Sequence, residues 1–266
     1  MSDGRPYLSV LMPALNEERT LNKVIEAVLR VDLPLELVLV DDGSTDATWQ
    51  IMQQHADGAR VRAFRHEINQ GKGAAIRTAL QEARGELVII QDADLEYNPS
   101  DYPRLIDPIR SGRATVVYGT RAFASHTAYS YWYVIGNRLV TLATNVLYNV
   151  YLSDMETGYK LMPRNVALQL DLEARGFELE PEITAKLLRL GHRIYEVPVD
   201  YAARSREEGK KLTARDGMRA LVALARYRRW RPSRTSSSSD TEEESLRGSP
   251  VRRREPSARR ETSSSV

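Results

Sequence analysis

The chain has 266 residues, 42% of them hydrophobic and 28% charged, with four histidines and no cysteine. This composition points to a globular chain with one sizeable core; it excludes disulfide scaffolds, thiolate metal sites and cysteine nucleophiles, and argues against a multi-histidine metal cage. The net charge of +2 sits in residues 231–266, which hold eight arginines against six acids; the other 230 residues balance 30 basic with 30 acidic side chains, an unsuitable body for a nucleic-acid binder.

No run of about 18 apolar residues predicts a membrane-spanning helix. Residues 1–6 lack the apolar run of a secretory signal, so a cytoplasmic protein is expected. The elements then alternate. Residues 7–12 form a short apolar run stopped by Pro13 and read as a buried strand. Residues 17–30 carry Leu21, Val24, Ile25, Val28 and Leu29 on one helical stripe. A second strand at 35–40 ends in acids and Gly43, with Ser44 or Thr45 placed to cap a helix reaching Gln54. Residues 61–65 read as a third strand, 72–84 as a helix ended by Gly85, and 86–91 as a fourth strand followed by acids. A helix at 102–110 and a strand at 114–118 follow. Beyond them come a long helix at 132–151, a helix at 181–190, a strand at 193–199 and a helix at 214–229. The alternation predicts an α/β fold with a mainly parallel sheet. Residues 1–230 form the expected domain. Residues 231–266, rich in Ser, Arg and Glu, bury too little apolar surface to offset their ordering entropy and are expected to be disordered.

Two acidic clusters sit just past strands: Asp41-Asp42-Gly43-Ser44-Thr45-Asp46 and Asp92-Ala93-Asp94-Leu95-Glu96. In an open parallel sheet, ligands bind beyond the carboxyl ends of strands, so the two clusters can face one crevice. In an extended segment Asp92 and Asp94 project to the same side, and two such oxygen ligands suit Mg²⁺ or Mn²⁺. For a lone Asp-x-Asp a solvated turn is the plainer explanation; a second cluster at an equivalent strand end favours a metal–nucleotide site. Asn69-Gln70-Gly71-Lys72-Gly73 opens a helix. Its glycines suit either close approach to an anion or a tightly started helix, and the stretch lacks the full P-loop spacing.

The ordered set Pro13-Ala14-Leu15-Asn16-Glu17-Glu18, the two acidic clusters, Asn69–Gly73, Tyr118-Gly119-Thr120-Arg121, Gly136-Asn137-Arg138, Asp154–Lys160, Glu180-Pro181-Glu182-Ile183 and Glu196-Val197-Pro198-Val199 resembles the family 2 glycosyltransferases over residues 7–229. Within them it is most similar to dolichol- and polyprenyl-phosphate mannosyl- and glucosyltransferases. The resemblance implies a GT-A fold and an inverting hexose transfer from GDP-mannose or UDP-glucose to a polyprenyl phosphate, with Mg²⁺ or Mn²⁺ as cofactor. It implies that Pro13, Leu15 and Glu17 border the nucleotide, that Asp42 contacts base or ribose with Asp41 nearby, and that Asp92 and Ala93 face the donor sugar and ribose. Asp94 would bind the metal, with Glu96, where relatives often have Gln, as second ligand. Arg204 with Lys210 or Lys211 would close over the diphosphate, and Arg121 and Arg138 would hold the acceptor phosphate. Asp92, Asp94, Arg121 and Arg138 form the implied catalytic set. An alcohol acceptor would instead require a carboxylate base, for which Asp154, Glu156 and Glu182 are candidates.

A lipid acceptor implies access to a bilayer. The helix at 132–151, led by Tyr129, Tyr131, Trp132 and Tyr133, suits either an interfacial position or the core. Residues 204–229 hold nine basic and three acidic side chains, a patch suited to anionic headgroups. The expected partners are a nucleotide sugar, a polyprenyl phosphate, the cytoplasmic membrane surface and a membrane protein there, with no nucleic acid.

Overall fold

The computed structural model describes residues 5–122, 131–202 and 214–232 and, within them, all side chains but those of 131–133 and 214–216. The expected disorder of the C-terminal segment therefore falls, from residue 233 on, outside the described residues, as do Arg204, Lys210, Lys211 and Tyr129, together with the side chains of Tyr131, Trp132 and Tyr133.

Seven strands, β1 (Leu8–Ala14), β2 (Leu35–Asp41), β3 (Val61–Arg65), β4 (Leu87–Ile90), β5 (Val116–Thr120), β6 (Lys160–Pro163) and β7 (Ile194–Pro198), form one sheet in the order β3-β2-β1-β4-β6-β5-β7. All pairings are parallel except those of β6, which runs against both β4 and β5. Strands β1, β2, β4 and β5 are buried along their whole length, because helices cover both faces; this is why they read as mainly apolar runs. One face packs against α1 (Leu21–Leu29) and α4 (Tyr102–Arg110), with Met52 of α2 (Thr48–His55). The other packs against α3 (Lys72–Glu82), α6 (Arg164–Gln169) and α7 (Leu179–Arg189). A third cluster joins α5 (Tyr131–Tyr148) to α8 (Ala214–Tyr227) through Val140, Ala220, Ala223 and Leu224.

Pro13 does not stop β1, which continues to Ala14 in register with β2. Even-numbered residues of β1 turn their backbone groups toward β2, as Ala14 O accepting from Asp42 N shows; odd-numbered ones turn toward β4, as Leu11 O accepting from Gln91 N shows. The amide that would carry the β1–β4 ladder past Leu11 thus belongs to Pro13, which has none. The two strands part there, at their carboxyl ends.

Other boundaries differ from the sequence reading for local reasons. The first helix begins at Leu21, not residue 17: Asn16 adopts φ +55°, and the amides of Asn16, Glu17 and Glu18 donate to Ser44 Oγ (2.9 Å), Thr48 Oγ1 (2.8 Å) and Asp46 Oδ2 (3.2 Å). Neither Ser44 nor Thr45 caps α2, which starts later; Asp46 Oδ1 accepts from Thr48 N at 2.9 Å. Helix α3 ends before Gly85, whose place is explained by packing: a Cβ there would lie 2.7 Å from Ser9 N. Strand β6 and helix α6 are additional elements.

Candidate active site

The crevice lies beyond the carboxyl ends of β1, β2 and β4. Asp41 and Asp42, at the end of β2, are both buried. Asp41 accepts from Ser44 N (Oδ1, 3.0 Å) and pairs with Arg65 Nε (Oδ2, 2.9 Å). Asp42 accepts from the amides of Gln70 (2.9 Å) and Gly71 (2.7 Å) and from His66 Nδ1 (2.7 Å). His66 Nε2 lies 2.9 Å from Thr78 Oγ1 on α3. Asp42 therefore ties the Asn69–Gly73 loop to the sheet.

The glycines of that loop have a structural task. A Cβ on Gly71 or Gly73 would lie 2.1 Å from the carbonyl oxygen of Arg175 or Ala174, and Gly71 has φ +95°. Gly73 N already donates to Arg175 O at 2.9 Å. Close approach here serves the 174–175 backbone, which favours the tightly started helix over an anion cradle.

Lys72, between the two glycines, reaches Asp92 Oδ1 (2.9 Å) and Glu180 Oε1 (2.9 Å). Burial works against its charge, but Asp92 and then Glu180 outweigh it, and the ammonium is held well above the ordinary lysine range. Its importance was missed in the sequence; a lysine at the start of a helix facing a strand-end acid was the available signal.

The second acidic cluster is a turn, not an extended segment. Leu95 has φ +62°, Asp94 Oδ1 accepts from Glu96 N (3.1 Å), and Ala93 is buried with its carbonyl accepting from Thr20 Oγ1 (2.7 Å). The turn is held from beneath. Gln91 Oε1 accepts from Tyr102 (2.7 Å) and Tyr159 (2.6 Å), and the Tyr97 ring lies 4.5 Å from that of Tyr159. Glu96 Oε2 accepts from Tyr201 (2.7 Å), and Glu96 O accepts from Ala202 N (2.9 Å). The chain running on to Arg204, Lys210 and Lys211 thus departs from beside Glu96. Pro13 is buried, and Leu15 and Glu17 are partly buried at the crevice rim, Glu17 accepting from Thr20 Oγ1 (3.0 Å).

On the far side, Asp154 grips Arg121 through Nε and Nη2, both at 2.7 Å, and accepts from its amide at 3.1 Å. Burial would raise the Asp154 carboxyl, but the guanidinium outweighs it and holds it low. Arg121 also lies over the Tyr201 ring at 5.1 Å. Arg138 is exposed on α5.

The three candidate bases are now distinguishable. Asp154 is committed to Arg121. Glu182 accepts from the amides of Glu173 (2.8 Å) and Ala174 (2.7 Å) and pairs with buried Lys186 (2.7 Å). Glu156 keeps a buried Oε1 with no hydrogen-bond partner among the described residues. Burial first, then the Glu180 carboxylate, pushes its pKa up to about 7, and burial lowers the neighbouring Lys160.

Among the described residues, no group of three or more His, Asp or Glu side chains is placed to hold a metal by itself. Asp94 and Glu96 flank the left-handed Leu95; carboxylates are the donor type that suits a hard cation keeping waters and taking phosphate oxygens from a substrate. Asp92, neutralised by Lys72, is a poorer ligand.

A mostly parallel sheet with one antiparallel strand, and acids beyond β2 and β4, is the GT-A arrangement. The solved glucosyl-3-phosphoglycerate synthase of Mycobacterium tuberculosis, in complex with Mg²⁺ and uridine diphosphate, shares the fold with a TM-score of 0.63, covering 84% of this chain and 79% of that one at 24% identity. Residues 9–170 match the model of Glycosyl transferase family 2, and the chain belongs to that family. A low-salt glycan biosynthesis hexosyltransferase of Haloferax volcanii is 31% identical over 77% of this chain and 50% of its own length. A dolichyl-phosphate beta-glucosyltransferase of Trichomonas vaginalis is 30% identical over 73% of this chain and 65% of its own length. The matched region thus spans about half to two thirds of these relatives.

Proposed function

We propose that the chain is an inverting, metal-dependent glycosyltransferase that moves a hexose from GDP-mannose or UDP-glucose to a polyprenyl or dolichyl phosphate at the cytoplasmic membrane face. The observation that carries this reading is the propped Asp94–Glu96 turn, set where β1 and β4 part and beside the start of the segment bearing Arg204, Lys210 and Lys211. The named dolichyl-phosphate relative supports the acceptor class.

Asp94 and Glu96 would hold Mg²⁺ or Mn²⁺ together with the donor diphosphate. When bound, the cation supplies Lewis-acid stabilisation of the leaving diphosphate. Asp92 accepts hydrogen bonds from the sugar while Lys72 cancels its charge, so it does not repel the diphosphate. Arg121, its fork fixed by Asp154, keeps N–H groups for the acceptor phosphate. That phosphate oxygen is already ionised; it bonds to the anomeric carbon as the carbon–diphosphate bond breaks, and no proton needs removal.

The test is transfer of labelled hexose from each donor into an organic phase containing polyprenyl phosphate. Lipid-phase label with one donor, lost with chelator and at least about 100-fold lower in Asp94→Asn, is expected. Nucleoside diphosphate release without lipid label would overturn the acceptor assignment. A second reading, transfer to a soluble or protein hydroxyl, rests on Glu156, the one candidate base with an uncommitted oxygen.

A further inference from the structure

Eleven large apolar side chains are exposed among the described residues. Five of them, Leu139, Leu142 and Val146 on α5 and Met218 and Val222 on α8, lie on two adjoining helices, each between 57% and 73% exposed. The spacing is 139, 142, 146 on one helix and 218, 222 on the other, so each set forms a single outward stripe. The opposite stripes, Val140 and Thr144 on α5 and Ala220 and Leu224 on α8, are buried. The outward side chains are therefore not the helices' packing faces, and scattered exposure does not explain a cluster of this size.

The charge around the cluster is mainly basic. Helix α5 carries a single charged residue, Arg138; α8 carries one acid, Asp216, near its start, and residues 217–231 beyond it carry five arginines and no acid. Arg226 is paired with Glu173, while Arg228 and Arg229 are exposed at the end of α8. Apolar stripes with a basic rim match the boundary between acyl chains and anionic headgroups. A second copy docked through the same face would bring two basic rims together, which disfavours it as the occupant.

The inner side of α5 is fastened to the site. Asn145 brackets Leu152, donating to its carbonyl (3.0 Å) and accepting from its amide (2.9 Å), and Met155 N donates to Thr141 Oγ1 (3.3 Å). Asp154, which fixes Arg121, lies between those anchors. Helix α5 thus carries both the apolar stripe and the anchors of the segment that holds Asp154.

We propose that the outward face of α5 and α8 is a docking surface for an anionic lipid bilayer. The surface seats the chain with α5 parallel to the membrane and brings the acceptor side of the crevice to headgroup level. This gives the membrane partner of the proposed reaction a defined place on the protein, yet it is read without the reaction.

The purified chain would be sedimented with vesicles of phosphatidylcholine alone and of phosphatidylcholine mixed with phosphatidylglycerol, neither containing polyprenyl phosphate. Binding to the mixed vesicles that weakens with salt is expected. Leu142→Glu with Val146→Glu, and separately Met218→Glu with Val222→Glu, should each lower binding at least about tenfold, with circular dichroism and the Tm shift by nucleoside diphosphate and Mn²⁺ unchanged. Arg228→Ala with Arg229→Ala should lower binding to the anionic vesicles only. Wild-type chain left in the supernatant, or glutamate variants that bind like wild type, would overturn the proposal. So would a dimer in sedimentation velocity that the same variants dissociate while vesicle binding is absent. An unchanged donor-induced Tm shift with lost vesicle binding separates failure of this surface from failure of the transferase reading.

Discussion

Lys72 is the residue on which the two halves of the crevice meet. It neutralises Asp92 from the strand-end cluster and Glu180 from α7, two acids distant in sequence. Lys72→Met leaves both carboxylates without their counter-ion. Because the side chain is only partly shielded, the expected loss is about 1–3 kcal/mol, below that of a fully buried pair; urea denaturation measures it, and an unchanged midpoint would deny the pairing its weight. Glu156 gives a signed pH effect. Its carboxyl ordinarily titrates near 4.5 and is raised to about 7 in the folded chain, chiefly by burial. Between those values the unfolded chain has released the proton and the folded chain retains it. Stability from this group is therefore full below about 4.5, falls as pH rises to about 7, and then levels. Glu156→Gln should remove that slope, making the variant more stable than wild type at pH 8 relative to pH 5 by roughly 1–3 kcal/mol. The same variant separates the two acceptor readings. With polyprenyl phosphate kcat should change less than about fivefold, whereas a hydroxyl acceptor needing a base would lose about 100-fold or more. Sequence alone left three carboxylates level as bases, because what separates them is which backbone amides and cations reach each one, and those come from segments far along the chain.

At the scale of elements, the strands were the most legible part, since four of them are buried on both faces and therefore mainly apolar, with Ser9 and Glu36 as buried exceptions hydrogen-bonded to each other. The helix starts were less so. The stripe of α1 was evident, but its first turn is given up to side chains of the β2–α2 connection, a tertiary choice that periodicity does not encode. Strand β6 escaped notice because Lys160 opens it, and the lysine is buried there with its ammonium donating to the carbonyls of Met155 and Thr157. The Gly71–Gly73 pair was legible as a tight approach, though not as an approach to which partner. Gly73→Ala tests the observed one. Alanine ordinarily gains about 1 kcal/mol over glycine inside a helix; against the Ala174 carbonyl it should instead cost about 2 kcal/mol or more, seen as a lower Tm. A neutral or stabilising substitution would contradict the packing.

For the molecule as a whole, the acidic clusters proved legible as neighbours because the topology requires it: β1 lies between β2 and β4, so acids after β2 and β4 flank the same opening. Arg204, Lys210 and Lys211, which lie outside the described residues, and Tyr131, Trp132 and Tyr133 of α5, whose side chains do, were legible as types only. If the crevice takes a nucleoside diphosphate with a cation, the two ligands stabilise the fold together. At about 100 times the dissociation constant the gain is about 2.7 kcal/mol, or roughly 5–10 °C in Tm for a chain of this size. UDP or GDP with Mn²⁺ should give that shift, each component alone much less, and Asp94→Asn none; equal shifts from Mn²⁺ alone in both proteins would remove the turn from the site.

Pro13 carries a consequence for how this chain responds to selection. Valine there would supply the missing amide and let β1 and β4 zip one step further, adding a hydrogen bond and a β-branched side chain to the middle of the sheet. A screen for heat resistance would reward that change; if the crevice takes a nucleotide as proposed, a screen for turnover would discard it, because the added rung narrows the opening where β1 and β4 part. On that reading the proline is a position where robustness is forgone for room, and the two screens run side by side should disagree at residue 13.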